Sequence, residues 1–366
     1  MTSPDFTREP SKKEAVFIVL LTVAIQAFLA IRTVGWRARA AGAFDNLDNS
    51  SYLAIAHFLN LWIPRTSLED QHFWGFPYFI LAVSKIFHLR DVDAAILLSI
   101  AASIGACLLL HELYGGRVAI AFGMVSSTWI LLAGFGGCEP LFICLIFASF
   151  LAARRELWFL AALLASVSVT VRPLGIFALS SLLLWALWRR HWAATAQTIV
   201  PAALVACAYL IPVYLLTGDP FFQVRLYGGD WQLHDFPLAH RGLLTLPGLR
   251  LAQGFYYLHD YWRSSNASLR KLAWIGAAFG GAALFWNPRR WPDLPPVERM
   301  FACTYAAFLL CYNFDYVALY VERFLLPVLP CVLFLLREWI PVKRLILWPF
   351  VALSIVFNSV LLFHRF

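Results

Sequence analysis

Charge is what this chain has little of. Only 14% of its 366 residues are charged and 61% are hydrophobic, whereas a soluble domain carries about 25% and about 45–50%. So few ionised groups cannot clothe a water-exposed surface, which excludes an ordinary soluble domain. Acid is scarcer than base, with 21 Asp and Glu against 29 Lys and Arg. On a soluble protein the resulting +8 would point to nucleic acid. Here the basic residues fall in short segments between apolar runs, where they set membrane orientation, and no nucleic-acid partner is expected. Cysteine chemistry is missing too. Cys107, Cys138, Cys144, Cys207, Cys303, Cys311 and Cys331 form no CxxC pair and keep no zinc spacing with His, so they read as small buried hydrophobes. His234 and Asp235 are adjacent, but no third ligand keeps spacing with them. No metal and no cofactor is expected. The first apolar run lacks a small-residue cleavage site and reads as a retained span.

What is present is membrane-length apolar sequence. Fifteen Trp and thirteen Tyr suit a chain with many interfacial crossings. Apolar runs cover roughly 15–33, 93–111, 117–134, 193–216, 270–286, 298–312, 323–337 and 344–362, near the length of about 17–25 residues that a spanning helix needs. The stretch 140–188 is interrupted at Arg154-Arg155-Glu156 and at Arg172-Pro173, and reads as three short helices. Segment 73–88 is short and holds Pro77 and Lys85, so it reads as a surface or re-entrant helix. The expected fold is an all-α polytopic membrane protein of about eleven transmembrane helices, a single domain over 1–366. Arg8, Lys12 and Lys13 place the N-terminus in the cytoplasm under the positive-inside rule, together with Arg154-Arg155, Arg189-Arg190, Arg289-Arg290 and Lys343-Arg344. Two outer loops follow, 34–92 and 217–268. The lack of luminal retention signals favours a bacterial plasma membrane.

This topology gathers Asp45, Asp48, Glu139, Arg172, Asp219, Arg225, Asp315, Glu322 and Arg323 on the outer half. Ionisable groups near a bilayer are costly and mark function by default. The helices flanking Glu139 and Arg172 are too short to cross a bilayer, which predicts that they stop below the surface and line a cavity. Asp45 and Asp48 stand out because they sit three residues apart with no basic residue between them, and Tyr52 and Ile55 follow on a helix over 51–62.

Four stretches carry a resemblance. They are Asp48-x-x-x-Tyr52-Leu53-x-Ile55-Ala56; Gly75-Phe76-Pro77-Tyr78; Glu139-Pro140-Leu141-Phe142 with Thr170-Val171-Arg172-Pro173-Leu174-Gly175; and Gly218-Asp219-Pro220 with Glu322-Arg323-Phe324-Leu325-Leu326-Pro327. In this order they resemble the C-type superfamily of integral-membrane glycosyltransferases, which use polyprenyl-phosphate sugars, and its mannosyltransferase-like branch in particular. Tyr78 lacks the Pro that follows in the family's segment, and Asn49 stands where many relatives carry an acid or second aromatic beside the catalytic Asp. The resemblance implies transfer of a mannose-like hexose from a polyprenyl-phosphate donor to a lipid, glycan or protein acceptor outside the cytoplasm, with Asp48 catalytic.

The residue chemistry leaves alternatives open. A carboxylate within reach of the acceptor hydroxyl takes its proton, and Asp48 or Asp45 suits that role. Asp48 or Asn49 also suits a helix N-cap. Arg323 and Arg172 suit phosphate, which Arg pairs with bidentately, or they snorkel to the interface, Arg323 pairing with Glu322. Glu139 either contacts a sugar hydroxyl or answers the helix dipole. Arg225 and Trp231 suit the acceptor side or an aromatic belt. Asn49-Ser50-Ser51 and Asn266-Ala267-Ser268 fit glycosylation sequons, the first accidental because a glycan would obstruct the site. A transporter or flippase is the rival class, although no internal repeat is visible. A non-catalytic membrane partner on the same scaffold is a third.

Overall fold

A computed structural model describes residues 49–62, 72–125, 127–224, 294–311, 321–338 and 340, together with 13, 16–17 and 19–25. Among the described residues the secondary structure is helical, with no strand. The helices are α1 (Asn49–Leu61), α2 (Gly75–Phe87), α3 (Asp91–Tyr114), α4 (Gly116–Val125), α5 (Ser127–Gly134), α6 (Glu139–Arg154), α7 (Trp158–Val171), α8 (Ile176–Trp188), α9 (Trp192–Thr217), α10 (Pro296–Cys311), α11 (Val321–Leu325) and α12 (Leu329–Leu335). The all-α class is as expected.

Helix ends follow local chemistry. Arg172 precedes Pro173, and the proline ring bars its neighbour from helical backbone. Arg172 is accordingly extended, with φ −145° and ψ 133°, so α7 stops at Val171 and a short 3-10 turn over Pro173–Gly175 leads into α8. Helix α9 ends on Gly218, whose φ of 75° is left-handed and whose N–H donates to the Tyr214 carbonyl. The three short helices expected within 140–188 are α6, α7 and α8.

Among the described residues, α3 and α9, with 24 and 26 residues, are the helices long and apolar enough to cross a membrane. Helix α10 has 16 residues. The run 323–337, predicted as one span, is broken: α11 ends at Leu325, a turn takes Leu326 to Val328, and α12 follows. Pro327 and Pro330 supply no N–H to a helical ladder there. Eleven helices of spanning length are thus not what the described residues form. Predicted spans 270–286 and 344–362 lie outside them, and 15–33 is described only to Ile25.

Small residues allow close packing. Ser99, Ala102, Ser103 and Ala106 are buried along α3, and Ala161, Ala165 and Ser168 along α7, the pattern by which apolar helices approach without a hydrophobic drive. Helix α6 packs between α3 and α7, and α7 against α9. Helix α2 is buried unevenly along its length. Its N-terminal Gly75, Phe76, Pro77 and Ile80 are buried against neighbours, while Ile86 and Phe87 at its far end are exposed.

The bundle has two distinct ends. At one, Trp158 opening α7 stacks on Trp185 near the end of α8 at 4.7 Å and faces His191 before α9 at 6.5 Å. Those helices are therefore level at that end. There Arg154 Nε meets Glu298 at 2.7 Å and its Nη1 donates to the Leu113 carbonyl at 2.9 Å, joining α6 to α10 and α3. Arg155, Arg189 and Arg190 lie at the same end. From that level α7 rises about 21 Å and α9 about 39 Å. At the other end, Trp74 N–H donates to Tyr209 Oη at 3.1 Å, and α9 continues past Tyr209 to Thr217, about 12 Å further. Helix α9 is thus the longer of the two and runs on past the contact with Trp74.

The tightest joint at that end is Gly75, where an added Cβ would stand 2.4 Å from the Thr170 carbonyl carbon. Gly75→Ala is expected to cost about 1–3 kcal/mol through overpacking against backbone. At Gly123 the nearest atom to an added Cβ is Cys107 Sγ at 3.8 Å, so Gly123→Ala should melt at or slightly above wild type. Thermal unfolding of the two variants in detergent checks the contrast.

Candidate functional site

Glu139 enters on a turn that only its glycines permit. The Gly136 φ of 80° is left-handed, and Gly137 N–H closes the end of α5 on the Leu132 carbonyl at 2.7 Å. Ser99 Oγ then donates to the Gly137 carbonyl at 2.7 Å, fixing the turn on α3. Pro140 follows in the first turn of α6, where its missing N–H is harmless. Glu139 is thereby held in that first turn, facing inward and only 1% exposed.

Two guanidiniums meet it. Arg172 Nη1 lies 2.5 Å from Glu139 Oε1, while Arg323 reaches the same oxygen with Nε at 2.7 Å and Nη2 at 2.5 Å. The carboxylate and its partners come from chain positions 33 and 184 residues apart. The three side chains sum to one positive charge. Both guanidiniums converge on Oε1, and the buried Oε2 has no hydrogen-bond partner among the described residues. Arg172 lies about 5.9 Å from the ring centres of both Phe142 and Phe324. Its side chain is 15% exposed, against 8% for Arg323. No hydrogen bond engages its Nε or Nη2 among the described residues. Arg323 does not snorkel outward. Its partner here is Glu139, and the Glu322 side chain lies outside the described residues.

Tyr52 belongs to this cluster. It is 5% exposed, its hydroxyl lies 3.3 Å from Cys138 Sγ, and its ring meets Phe76 edge-on at 5.4 Å and His72 at 5.0 Å. Cys138 directly precedes Glu139, so the helix that follows Asp48 in the chain is docked on the ion cluster. Phe76 adjoins Gly75, which presses on Thr170, two residues before Arg172. Tyr305 secures the far side by donating from its hydroxyl to the Phe324 carbonyl at 2.8 Å.

Among the sequence-predicted site residues, Tyr52, Glu139, Arg172 and Arg323 thus come together. Asp45, Asp48, Arg225 and Trp231 lie outside the described residues, as does loop 217–268 beyond Val224. Asp219 sits in the turn after α9, where its Oδ1 accepts from Phe221 N–H at 3.1 Å. Sequence reasoning missed Cys138 as the Tyr52 partner and Tyr305 as a brace. Neither carries a motif, and only its burial identifies it. Among the described residues no group of three His, Cys, Asp or Glu gathers as a metal site, and the described Cys are free thiols.

Chemically, the arrangement offers an anion two fixed guanidiniums, and the buried Glu139 Oε2 is an acceptor with no donor among the described residues. Burying three charges is tolerable only while they pair. Glu139→Gln would leave two guanidiniums facing a neutral amide, and is expected to destabilise the fold by about 3–5 kcal/mol. Arg172→Gln keeps the two-pronged Arg323–Glu139 contact and should melt clearly above Glu139→Gln. Melting temperatures of both variants decide this, and the reverse order would refute the charge balance described here. No family model matches the chain, and no characterised protein and no solved structure matches it.

Proposed function

We propose that this chain is an integral-membrane glycosyltransferase of about eleven spans, moving a mannose-like hexose from a polyprenyl-phosphate donor to a lipid, glycan or protein acceptor outside the cytoplasm. The observation that carries the reading is the buried cluster of Glu139, Arg172 and Arg323, with the Tyr52 helix docked on it. It lies at the end of the bundle away from Arg154, Arg155, Arg189 and Arg190. Basic residues at the opposite end favour a cytoplasmic location for that end. The cluster then faces outward, in a bacterial plasma membrane on this reading.

The cluster suits the departing phosphate. Its net positive charge sits in a poorly solvated mouth, where fixed donors stabilise developing charge without reorganisation. Arg172, with Nε and Nη2 to offer, contacts the phosphate, and Glu139 holds both guanidiniums in place. Glu139 Oε2 accepts from a hydroxyl of the donor sugar. In the reaction the acceptor oxygen bonds to the anomeric carbon and Asp48 takes the hydroxyl proton. The bond from that carbon to the phosphate oxygen breaks, and its electron pair leaves with polyprenyl phosphate. Attack opposite the leaving group inverts the centre. Asp45 is the second candidate for the base. Tyr52, Glu322, Arg225 and Trp231 complete the substrate contacts, and loop 217–268 covers the acceptor side.

The test is turnover of polyprenyl-phosphate mannose by purified protein. Asp48→Asn is expected to lower kcat by about 10²–10⁴, the usual worth of a general base, with its melting temperature unchanged. Asp45→Asn should stay near wild type. Full transfer by folded Asp48→Asn would remove Asp48 as base. Absence of turnover by wild type with several polyprenyl-phosphate sugars, alongside saturable solute uptake in vesicles, would replace the enzyme with a transporter.

A further inference from the structure

Beside the ion cluster lies a second patch, in which three buried side-chain donors find no partner among the described residues. A separate apolar cluster joins α1, α2 and α9 through Ile55, Leu59, Phe73, Trp74, Tyr209, Val213, Leu216 and Phe222, with Tyr78 packed against it. Within or next to it, these donors are Trp74 Nε1, Tyr78 Oη and Gln223 Nε2. Trp74 is 4% exposed and Gln223 2%. Trp74 and Tyr78 share a face, because Tyr78 N–H donates to the Trp74 carbonyl at 2.9 Å, one turn apart. Gln223 is brought in by the Asp219 turn, where Phe222 N–H donates to the Asp219 carbonyl at 3.2 Å. Phe73 stacks on Tyr209 at 6.0 Å and 10°.

Native proteins rarely leave such donors unmatched, since each orphaned buried polar group is destabilising. Two at this aromatic cluster, on Trp74 and Tyr78, and a third on Gln223 next to Phe222 match a ligand rich in oxygen acceptors. An indole N–H, a phenol and a carboxamide are all neutral, so they suit uncharged hydroxyls and ring oxygens rather than a phosphate. Trp74 precedes Gly75, which touches Thr170, so the patch adjoins the Arg172 mouth.

We propose that Trp74, Tyr78 and Gln223 form the subsite for the sugar ring of a glycan acceptor, beside the guanidiniums that take the donor phosphate. This rests on the glycosyltransferase reading for the word acceptor, although the sugar-binding site itself does not. The test uses the full chain in nanodiscs, free of glycoside detergents. Saturation-transfer NMR follows binding of methyl α-mannopyranoside to wild type, Tyr78→Phe, Gln223→Leu and Asp48→Asn. Removing one hydrogen bond should weaken binding about three- to tenfold in Tyr78→Phe and in Gln223→Leu. Both should melt at or above wild type without ligand, because each loses an orphaned polar atom. Asp48→Asn should bind the glycoside normally even where turnover is lost, which separates this site from the catalytic proposal. Binding should also persist when polyprenyl-phosphate mannose is present. Displacement by that donor would reassign the patch to the donor sugar and overturn the acceptor assignment. Variants that melt lower yet bind as wild type, or a wild type that binds no glycoside, would overturn the site itself.

Discussion

The mouth of this bundle is organised by one constraint: Glu139 is an acid buried where water cannot solvate it. An isolated carboxylate there would be prohibitively expensive, so the fold has to deliver cations to it. Two arrive from distant parts of the chain, one at the end of α7 and one in α11. Much of the local geometry follows from that meeting. The end of α7 at Pro173 leaves Arg172 extended and able to reach sideways, and the short α11 carries Arg323 inward where a continuous outer helix would not. Because two cations answer one anion, the cluster retains a positive charge, and that surplus gives a structural ion cluster its chemical potential for binding.

Helix α6 holds the cluster at a set depth. It carries Glu139 at its first residue and Arg154 at its last, each engaged in buried ion pairs with other helices. An α-helix of 16 residues is about 24 Å long, less than the hydrocarbon thickness of about 30 Å. With both ends pinned, α6 cannot slide. Lipid-like surroundings would give apolar helices little reason to choose one register. Paired ions at each end, with small residues between, supply it.

Much of this was legible in the sequence where the cause is local. Arg172-Pro173 ended a helix as steric restriction requires, and Arg154-Arg155-Glu156 marked a turn. Grouping Glu139, Arg172 and Arg323 on one side needed only topology and charge. Their contact did not follow from it, because hydropathy reports which residues avoid water and says nothing of which partners meet across nearly two hundred residues. For Arg323 the sequence left phosphate binding and an interfacial side chain paired with Glu322 both open, and gave no sign of Glu139 as its partner. The burial of Arg323 depends on the break after Leu325, which an apolar run conceals. The role of α2 was half legible: Pro77 and Lys85 argued against a span, but only the Gly75–Thr170 contact explains why one end is buried.

The cluster and the neutral patch beside it also explain each other. A guanidinium among the neutral donors would capture any phosphate nearby, because charge-assisted hydrogen bonds are stronger than neutral ones. A mouth lined only by arginines would bind anions without orienting a second, uncharged partner. On the proposed reading, the charges on α6, α7 and α11 take the phosphate and the neutral donors of Trp74, Tyr78 and Gln223 take the hydroxyls, so adjoining walls select by chemistry rather than by size. The unmatched atoms at Trp74, Tyr78 and Gln223 lower the stability of the ligand-free fold. Such a penalty persists where function uses it. The paired charges behind them offer compensating rigidity, since a mouth pinned by Glu139 can hold unsatisfied donors in place without collapsing around them.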